Sequence, residues 1–346
     1  MKRRLVGLMG CVALLVAAGA CSRSKEGQKQ AEAQAVSDAK PALTKVKLAL
    51  NWVPEPEFGG FYAAREGGAF ARQGLEVEIL GGGAGVPVMQ MVATGQVDFG
   101  IAGAEEIRTA RARGVDVLPL FAVYQTSPQG IMAHASRGAK GISDVLASGT
   151  VALEPGLPYA AYLKKKYGFD KVKVVPYDGG VARFVADKSF AQQCFITSEP
   201  IAAKKQGADP AVFLVAEEGF IHYIAVVINR RELWKEQPAR VKAFLAAVRE
   251  GWRAYLDEPA TANAVMAKLN TSMDLETFAA AARAQHPLIE TDETKARGLG
   301  TMSRERWETL GRQLVGLGLI DAAPAVDDFL LPELTPAVPT AVAPTP

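Results

Sequence analysis

Along most of this chain the spacing of apolar positions switches between two periods. Val46, Leu48 and Leu50 recur at every second residue, the spacing of a half-buried strand. Short runs of the same character follow at Glu76–Leu80, Phe99–Ile101, Val117–Val123, Ile131–His134, Thr150–Leu153, Val172–Pro176, Cys194–Thr197, Val212–Val215 and Ile224–Ile228. Between them the period lengthens to that of a helix at Phe61–Gln73, Val86–Thr94, Glu105–Arg113, Tyr159–Tyr167, Val181–Asp187 and Pro200–Gln206. Such alternation predicts mostly parallel sheets flanked by helices. Beyond Asn229 the pattern is helical throughout, at Pro238–Leu256, Ala260–Leu269, Leu275–Gln285 and Arg304–Leu317. Two strand sets with a helical return predict a bilobed α/β body. Lobe 1 spans 45–134 and 229–331, lobe 2 spans 135–228, and the chain crosses near Ala135 and Ile228. The cleft between them is expected at strand C-terminal ends, where open α/β folds place ligands.

The two ends lack this pattern. Lys2, Arg3 and Arg4 precede the apolar stretch Leu5–Ala18, which is too short for a spanning helix, and residues 1–20 read as a signal peptide. Ala18-Gly19-Ala20 before Cys21 resembles the lipobox of bacterial lipoproteins, with Ala18 where leucine is usual. Cys21 is therefore expected to carry lipid, residues 21–44 to form a flexible linker, and the protein to sit in the cell envelope facing the periplasm or exterior. Residues 332–346 are proline-rich and read as a disordered tail.

Composition narrows the function by exclusion. Lys and Arg number 39 against 37 Asp and Glu, a net charge of +2, so no nucleic-acid partner is expected. Cys11 leaves with the signal peptide and Cys21 carries lipid, which leaves Cys194 without a disulfide partner. His134, His222 and His286 have no metal-ligand spacing. No G-x-S-x-G is present, and the glycine loop from Gly81 lacks the Gly-Lys-Ser/Thr of a phosphate loop. No metal, no cofactor and no catalytic residue is expected.

The informative chemistry lies after the strands. Asn51, Trp52, Glu57 and Phe58 follow the first one in a turn stiffened by Pro54 and Pro56, with Glu55 a further carboxylate. Gly59 and Gly60 would let a ligand approach backbone, and Tyr62 lies just beyond. Glu105 follows Ala102-Gly103-Ala104 at a helix start, where it can face the cleft or complement the helix dipole. Tyr124 and Gln125 end the strand before the first crossing. In lobe 2, Tyr159 after Glu154, Asp178 after Tyr177, and Glu199 after Ser198 repeat the arrangement. Aromatics with carboxylates suit a neutral or weakly basic heterocycle better than an anion. Arg108, Arg111 and Arg113 read as a solvated helix face.

Taken as a set, several stretches resemble the substrate-binding proteins of ABC importers, in the group of thiamine-pyrimidine-precursor and alkanesulfonate binders. They are NWVPEPEFGGFYAAREGGAF, GLEVEI, VATGQVDFGIAGAEEIRTARARG, VYQTSPQGIMA, QQCFITSEPIAAKKQG and NRRELWKEQPARVKAFLAA. The resemblance implies a type II periplasmic-binding-protein-like fold, a membrane permease as partner, a monomer and no catalysis. A thiamine-precursor pyrimidine is then the first expected ligand, with riboflavin or an alkanesulfonate as alternatives. Eukaryotic relatives of the same group make the pyrimidine from pyridoxal phosphate and a protein histidine, using a cysteine-rich run that engages iron. The matching segment here, Glu218-Gly219-Phe220-Ile221-His222, has no cysteine, which disfavours such a synthase.

Overall fold

Strand β1 (Thr44–Ala49) alternates exposed Lys45 and Lys47 with buried Val46 and Leu48, and a sheet grows from both of its edges. The computed structural model describes residues 42–334 except Ala84, so Cys21, the leader and most of the proline-rich tail lie outside the described residues. From Leu43 onward the chain forms one unit. Its described residues contain ten strands: β1, β2 (Leu75–Leu80), β3 (Phe99–Ala102), β4 (Val117–Tyr124), β5 (Gln129–His134), β6 (Thr150–Leu153), β7 (Lys173–Pro176), β8 (Phe190–Phe195), β9 (Pro210–Leu214) and β10 (Ile224–Arg230).

They form two five-stranded sheets, ordered β2-β1-β3-β10-β4 and β7-β6-β8-β5-β9. Each sheet is mixed. In the first, β10 runs antiparallel to both β3 and β4; in the second, β5 runs antiparallel to both β8 and β9. These two strands are the ones by which the chain enters each sheet after crossing. The crossings fall between Tyr124 and Gln129 and between Leu214 and Ile224, so Gln129–His134 belongs to the second sheet and not to lobe 1 as its position in the chain suggests.

β4 is an edge strand, yet all eight of its residues are buried. The C-terminal helices cover it, and its Ala122 amide donates to the Gly300 carbonyl (3.2 Å). Covering the edge explains how so apolar a strand stays soluble, and the edge position tolerates Pro119. The strand expected at Cys194–Thr197 lies earlier, at Phe190–Phe195, because the buried Gln192 and Gln193 hide its apolar character. The helix over Leu275–Ile289 runs past Pro287. Arg108 and Arg111 are not a solvated face. Arg108 donates to the Pro324 carbonyl (2.8 Å), Arg111 donates to the Asp328 carbonyl (3.4 Å), and both lie against the Phe329 ring, pinning the C-terminal segment to the first sheet.

Candidate functional site

A cavity of about 1060 Å³ opens where the C-terminal ends of β1 and β3 face those of β6, β7 and β8. Its first wall begins directly after β1. The backbone Leu50–Pro54 is tied to the loop after β2 by Leu50 N–H to Leu80 O and Gly82 N–H to Trp52 O, both 2.9 Å. The Pro56–Phe58 turn then projects Glu55 and Glu57 into the cavity beside Asn51 and a Trp52 that is 44% exposed. Glu105 and Glu106 join them from the helix Ala104–Ala112, where Glu106 caps by accepting from the Gly103 amide (2.8 Å).

That turn is held from behind. Gln285 donates to the Pro56 carbonyl (2.8 Å) and accepts from the Tyr124 hydroxyl (2.6 Å), while Asn270 donates to the Pro54 carbonyl (3.2 Å). The helices that follow the strands therefore fix the loop that carries the carboxylates.

The second wall is a connected network. Gln193 Oε1 accepts from the Glu154 amide and from the Tyr159 hydroxyl, both at 2.6 Å. Glu199 accepts from the Tyr177 hydroxyl (2.6 Å) through one oxygen and from the Phe195 amide (2.7 Å) through the other. Lys205 closes the rim across the two sheets, with its Nζ 2.7 Å from Asp274 and 3.0 Å from Glu276.

Burial governs the charge on the first wall. Removal from water, with Glu55 and Glu199 nearby, pushes the Glu57 carboxyl up to about 8. Glu55 rises to about 7 through burial and Glu199, held down in part by a hydrogen bond from Trp52. Glu105 rises to about 7 by burial, against a bond from its own amide. Burial raises Glu199 too, and its Tyr177 and amide partners oppose this. His222 reaches the same cavity, and burial drives it down to about 4, so it stays neutral although its Nε2 lies 3.7 Å from Glu105. At that distance the pair gains little, and the desolvation of both groups dominates.

Of the residues singled out in the sequence, Asn51, Trp52, Glu57, Glu105, Tyr159 and Glu199 line this cavity. Phe58 and Tyr62 do not line it and are buried in the core. Gly59 and Gly60 serve packing: a Cβ there would meet the Tyr255 ring at 2.1 Å and the Trp252 indole at 2.2 Å. Tyr124 supports the turn through Gln285, and Gln125 anchors the first crossing through the Ala122 and Thr301 carbonyls. Asp178 is exposed and accepts from the Gly180 amide within its own turn. Sequence reasoning did not assign Gln129, Gln193, Tyr177 or His222 to the site. It also missed Ala225, which lines the cavity with a left-handed φ of 52° at the start of β10. Only the position of Tyr177 after a strand offered a signal.

Among the described residues no group of three or more His, Cys, Asp or Glu is placed to hold a metal ion, and no helix is long and apolar enough to cross a membrane.

The NMT1/THI5 like family profile matches residues 55–262, more than half of the chain and most of the cavity lining. The chain belongs to the NMT1/THI5-like family. Within that family's reach, it is 23% identical to the riboflavin-binding protein RibY of Chloroflexus aurantiacus, over 97% of this chain and 99% of RibY. It is 25% identical to the formylaminopyrimidine-binding protein of Halalkalibacterium halodurans, over 77% of this chain and 83% of that one. Proteins named 4-amino-5-hydroxymethyl-2-methylpyrimidine phosphate synthase are also among its relatives. In structure, this NMT1/THI5-like chain is similar to a putative periplasmic sulfonate-binding protein SsuA from Methylobacillus flagellatus. The TM-score is 0.63 at 16% identity, covering 85% of this chain and 93% of SsuA. That likeness establishes a periplasmic-binding-protein fold.

Proposed function

We propose that this protein is the lipid-anchored, extracytoplasmic solute-binding component of an ABC importer, monomeric, and that it captures a flat nitrogen heterocycle between its two sheets. The observation that carries this is the cavity itself. It joins an exposed indole, two tyrosines and several buried carboxyls at the strand ends of both sheets. In this reading Trp52 stacks on the ligand, Glu57 and Glu105 accept from its amino groups, and Tyr159 and Glu199 close over it with Asn51 at the edge. A thiamine-precursor pyrimidine is the first choice, in keeping with the relative named for formylaminopyrimidine.

The cavity volume favours a second ligand in the same class. About 1060 Å³ is at the upper end of small-molecule sites and leaves room for a tricyclic flavin, and RibY is named for riboflavin. An alkanesulfonate fits poorly, because Lys205 is the cation lining the cavity and it is engaged by Asp274 and Glu276. A synthase reading rests on His222, which reaches the cavity, but the Glu218–His222 segment offers no thiol.

Mass spectrometry of small molecules released from protein purified out of its own host tests the proposal. A heterocycle released in near-stoichiometric amount, quenching tryptophan fluorescence when added back, is the expected result. Turnover of pyridoxal phosphate by the purified protein would replace the receptor by an enzyme.

A further inference from the structure

On the basis of that receptor reading, we infer that the ligand enters this site as an organic cation, an aromatic carrying a protonated amidine-like or ammonium donor edge, with its positive charge against the first wall. Glu55, Glu57, Glu105 and Glu106 surround that side of the cavity, and Glu199 faces them from the second wall. Acidic residues alone would say little, since a solvated cluster needs no partner. Three further observations point to a ligand of this charge.

The Oε2 atom of Glu105 is buried with no hydrogen-bond partner, the neutral His222 Nε2 being its neighbour at 3.7 Å, and Oδ1 of Asn51 is likewise buried and unpartnered. Both are acceptors left unpaired in a lining of this cavity. A buried carboxylate oxygen without a donor is costly and calls for one from the ligand. The local cations are already committed. Lys205 pairs with Asp274 and Glu276 at the rim, and His222 is held neutral by burial. No cationic side chain of the lining is free to pair with the first wall, so its buried carboxyls hold protons in the empty protein, and a cationic ligand would displace those protons and meet several carboxylates at once.

The third observation fixes the opposite end. Gln193 is only 7% exposed, and the Glu154 amide must donate to its Oε1, which sets the orientation of its side-chain amide. Its Nε2 then has no acceptor among the hydrogen bonds of the described residues and borders the cavity. The second wall thus offers a neutral donor where the first offers acceptors. A ligand matched to both carries cationic donors on one edge and an acceptor, a ring nitrogen or carbonyl, on the other. A phosphate, sulfonate or carboxylate on the ligand would find buried carboxyl groups on the first wall and no free cation to pair with.

Three nearly isosteric probes separate charge from shape: benzamidinium, benzamide and benzenesulfonate, titrated at pH 7.5 with binding read by ligand-observed NMR and tryptophan fluorescence. The expected order is benzamidinium tightest, by about tenfold or more over benzamide, with benzenesulfonate unbound. Replacing Glu105→Gln should weaken benzamidinium about tenfold more than benzamide, a change in ratio that loss of packing would not give. Equal affinities for benzamidinium and benzamide, or binding of benzenesulfonate, would overturn the cationic ligand and leave the receptor standing. If none of the three binds, the charge at pH 7.5 of a molecule released from native protein decides in the same way. Absence of both probe binding and any released molecule would overturn the receptor reading itself.

Discussion

On the first wall of the cavity Glu105 keeps a buried oxygen without a hydrogen bond, and Glu57 faces Glu55 and Glu199 with no cation beside it. On the second wall the same kinds of side chain are spoken for. Glu199 accepts from Tyr177 and the Phe195 amide, and Gln193 from Tyr159 and the Glu154 amide. Both walls are carboxyl and amide groups at strand ends, so composition does not separate them; what differs is that the second wall's Glu199 and Gln193 oxygens are paired, while Glu105 Oε2 and Asn51 Oδ1 on the first are not. A wall whose groups satisfy one another is rigid before the ligand arrives and supplies shape. A wall whose acceptors are unpaired supplies the binding energy, because the ligand relieves a desolvation cost that the protein carries while empty. The binding specificity is therefore expected to reside in β1 and β3 and the ligand's orientation in β6 to β8.

The largest effect should come from the support behind the first wall. Gln285→Ala leaves the Tyr124 hydroxyl and the Pro56 carbonyl unpaired in a buried setting. It should cost about 2–4 kcal/mol of stability in urea unfolding and loosen the turn that bears Glu55 and Glu57. Stability unchanged in this variant would mean that the turn holds itself, and the contrast between a supported and a self-satisfied wall would fail.

Next in size is the pH response of the empty protein. The Glu57 carboxyl is raised from 4.5 to about 8, so the folded state binds a proton that the unfolded chain releases in between. Its stabilising contribution is complete below pH 4.5 and is lost as pH rises through 8. His222, lowered from 6.5 to about 4, acts with the opposite slope and only below 6.5, so the window from 6.5 to 9 reports the glutamates. Glu57→Gln should flatten the decline in Tm across that window and leave the empty variant about 2–3 kcal/mol more stable than wild type at pH 9. The same decline in both proteins would show that Glu57 is not the group in question.

The alternation of strands and helices along the chain was legible in the period of apolar residues, the mixed strand pairing was not, and the site only in part. Asn51, Trp52 and Glu57 stand in one short loop after a strong strand pattern, and local sequence suffices to put them at a strand end. Whether a strand-end side chain faces the cavity or the helices behind it depends on long-range packing. Tyr124, the last residue of β4, has its hydroxyl taken by Gln285, 161 residues away, and does not line the cavity, whereas Tyr159 in the first turn of the helix Pro158–Tyr167 does. Gly59 and Gly60 have the composition of a ligand-approach loop, and the close packing of Trp252 and Tyr255 decides otherwise. Gln193 was hidden because a buried polar residue in a strand breaks the apolar pattern by which strands are recognised, and here the break coincides with the cavity.

A smaller effect is expected at Trp52, whose exposure makes its removal nearly neutral for folding. Trp52→Ala should weaken ligand binding by about 1–2 kcal/mol if the indole stacks as base–aromatic platforms do, with urea unfolding unchanged. Unchanged affinity would remove Trp52 from the site and leave the carboxylates to carry the first wall alone.

The smallest effect should appear where the two walls meet. Lys205 stands on the helix Glu199–Lys205 of the second sheet, and Asp274 and Glu276 stand at the start of the helix Leu275–Ile289 that backs the first. The pair bridges the rim, and all three side chains keep substantial contact with water, so salt and solvent screen it. Its role should show in kinetics more than in equilibrium stability, because opening the cavity must break it while unfolding the sheets need not. Lys205→Ala is expected to speed ligand release roughly two- to fivefold in stopped-flow displacement, with the association rate little changed. The acceleration should shrink as salt rises, since the wild-type pair is then already weakened. If release were slower instead, Lys205 would be obstructing the cavity and not latching it, and a cation at the rim would have to be counted against the charge of the incoming ligand.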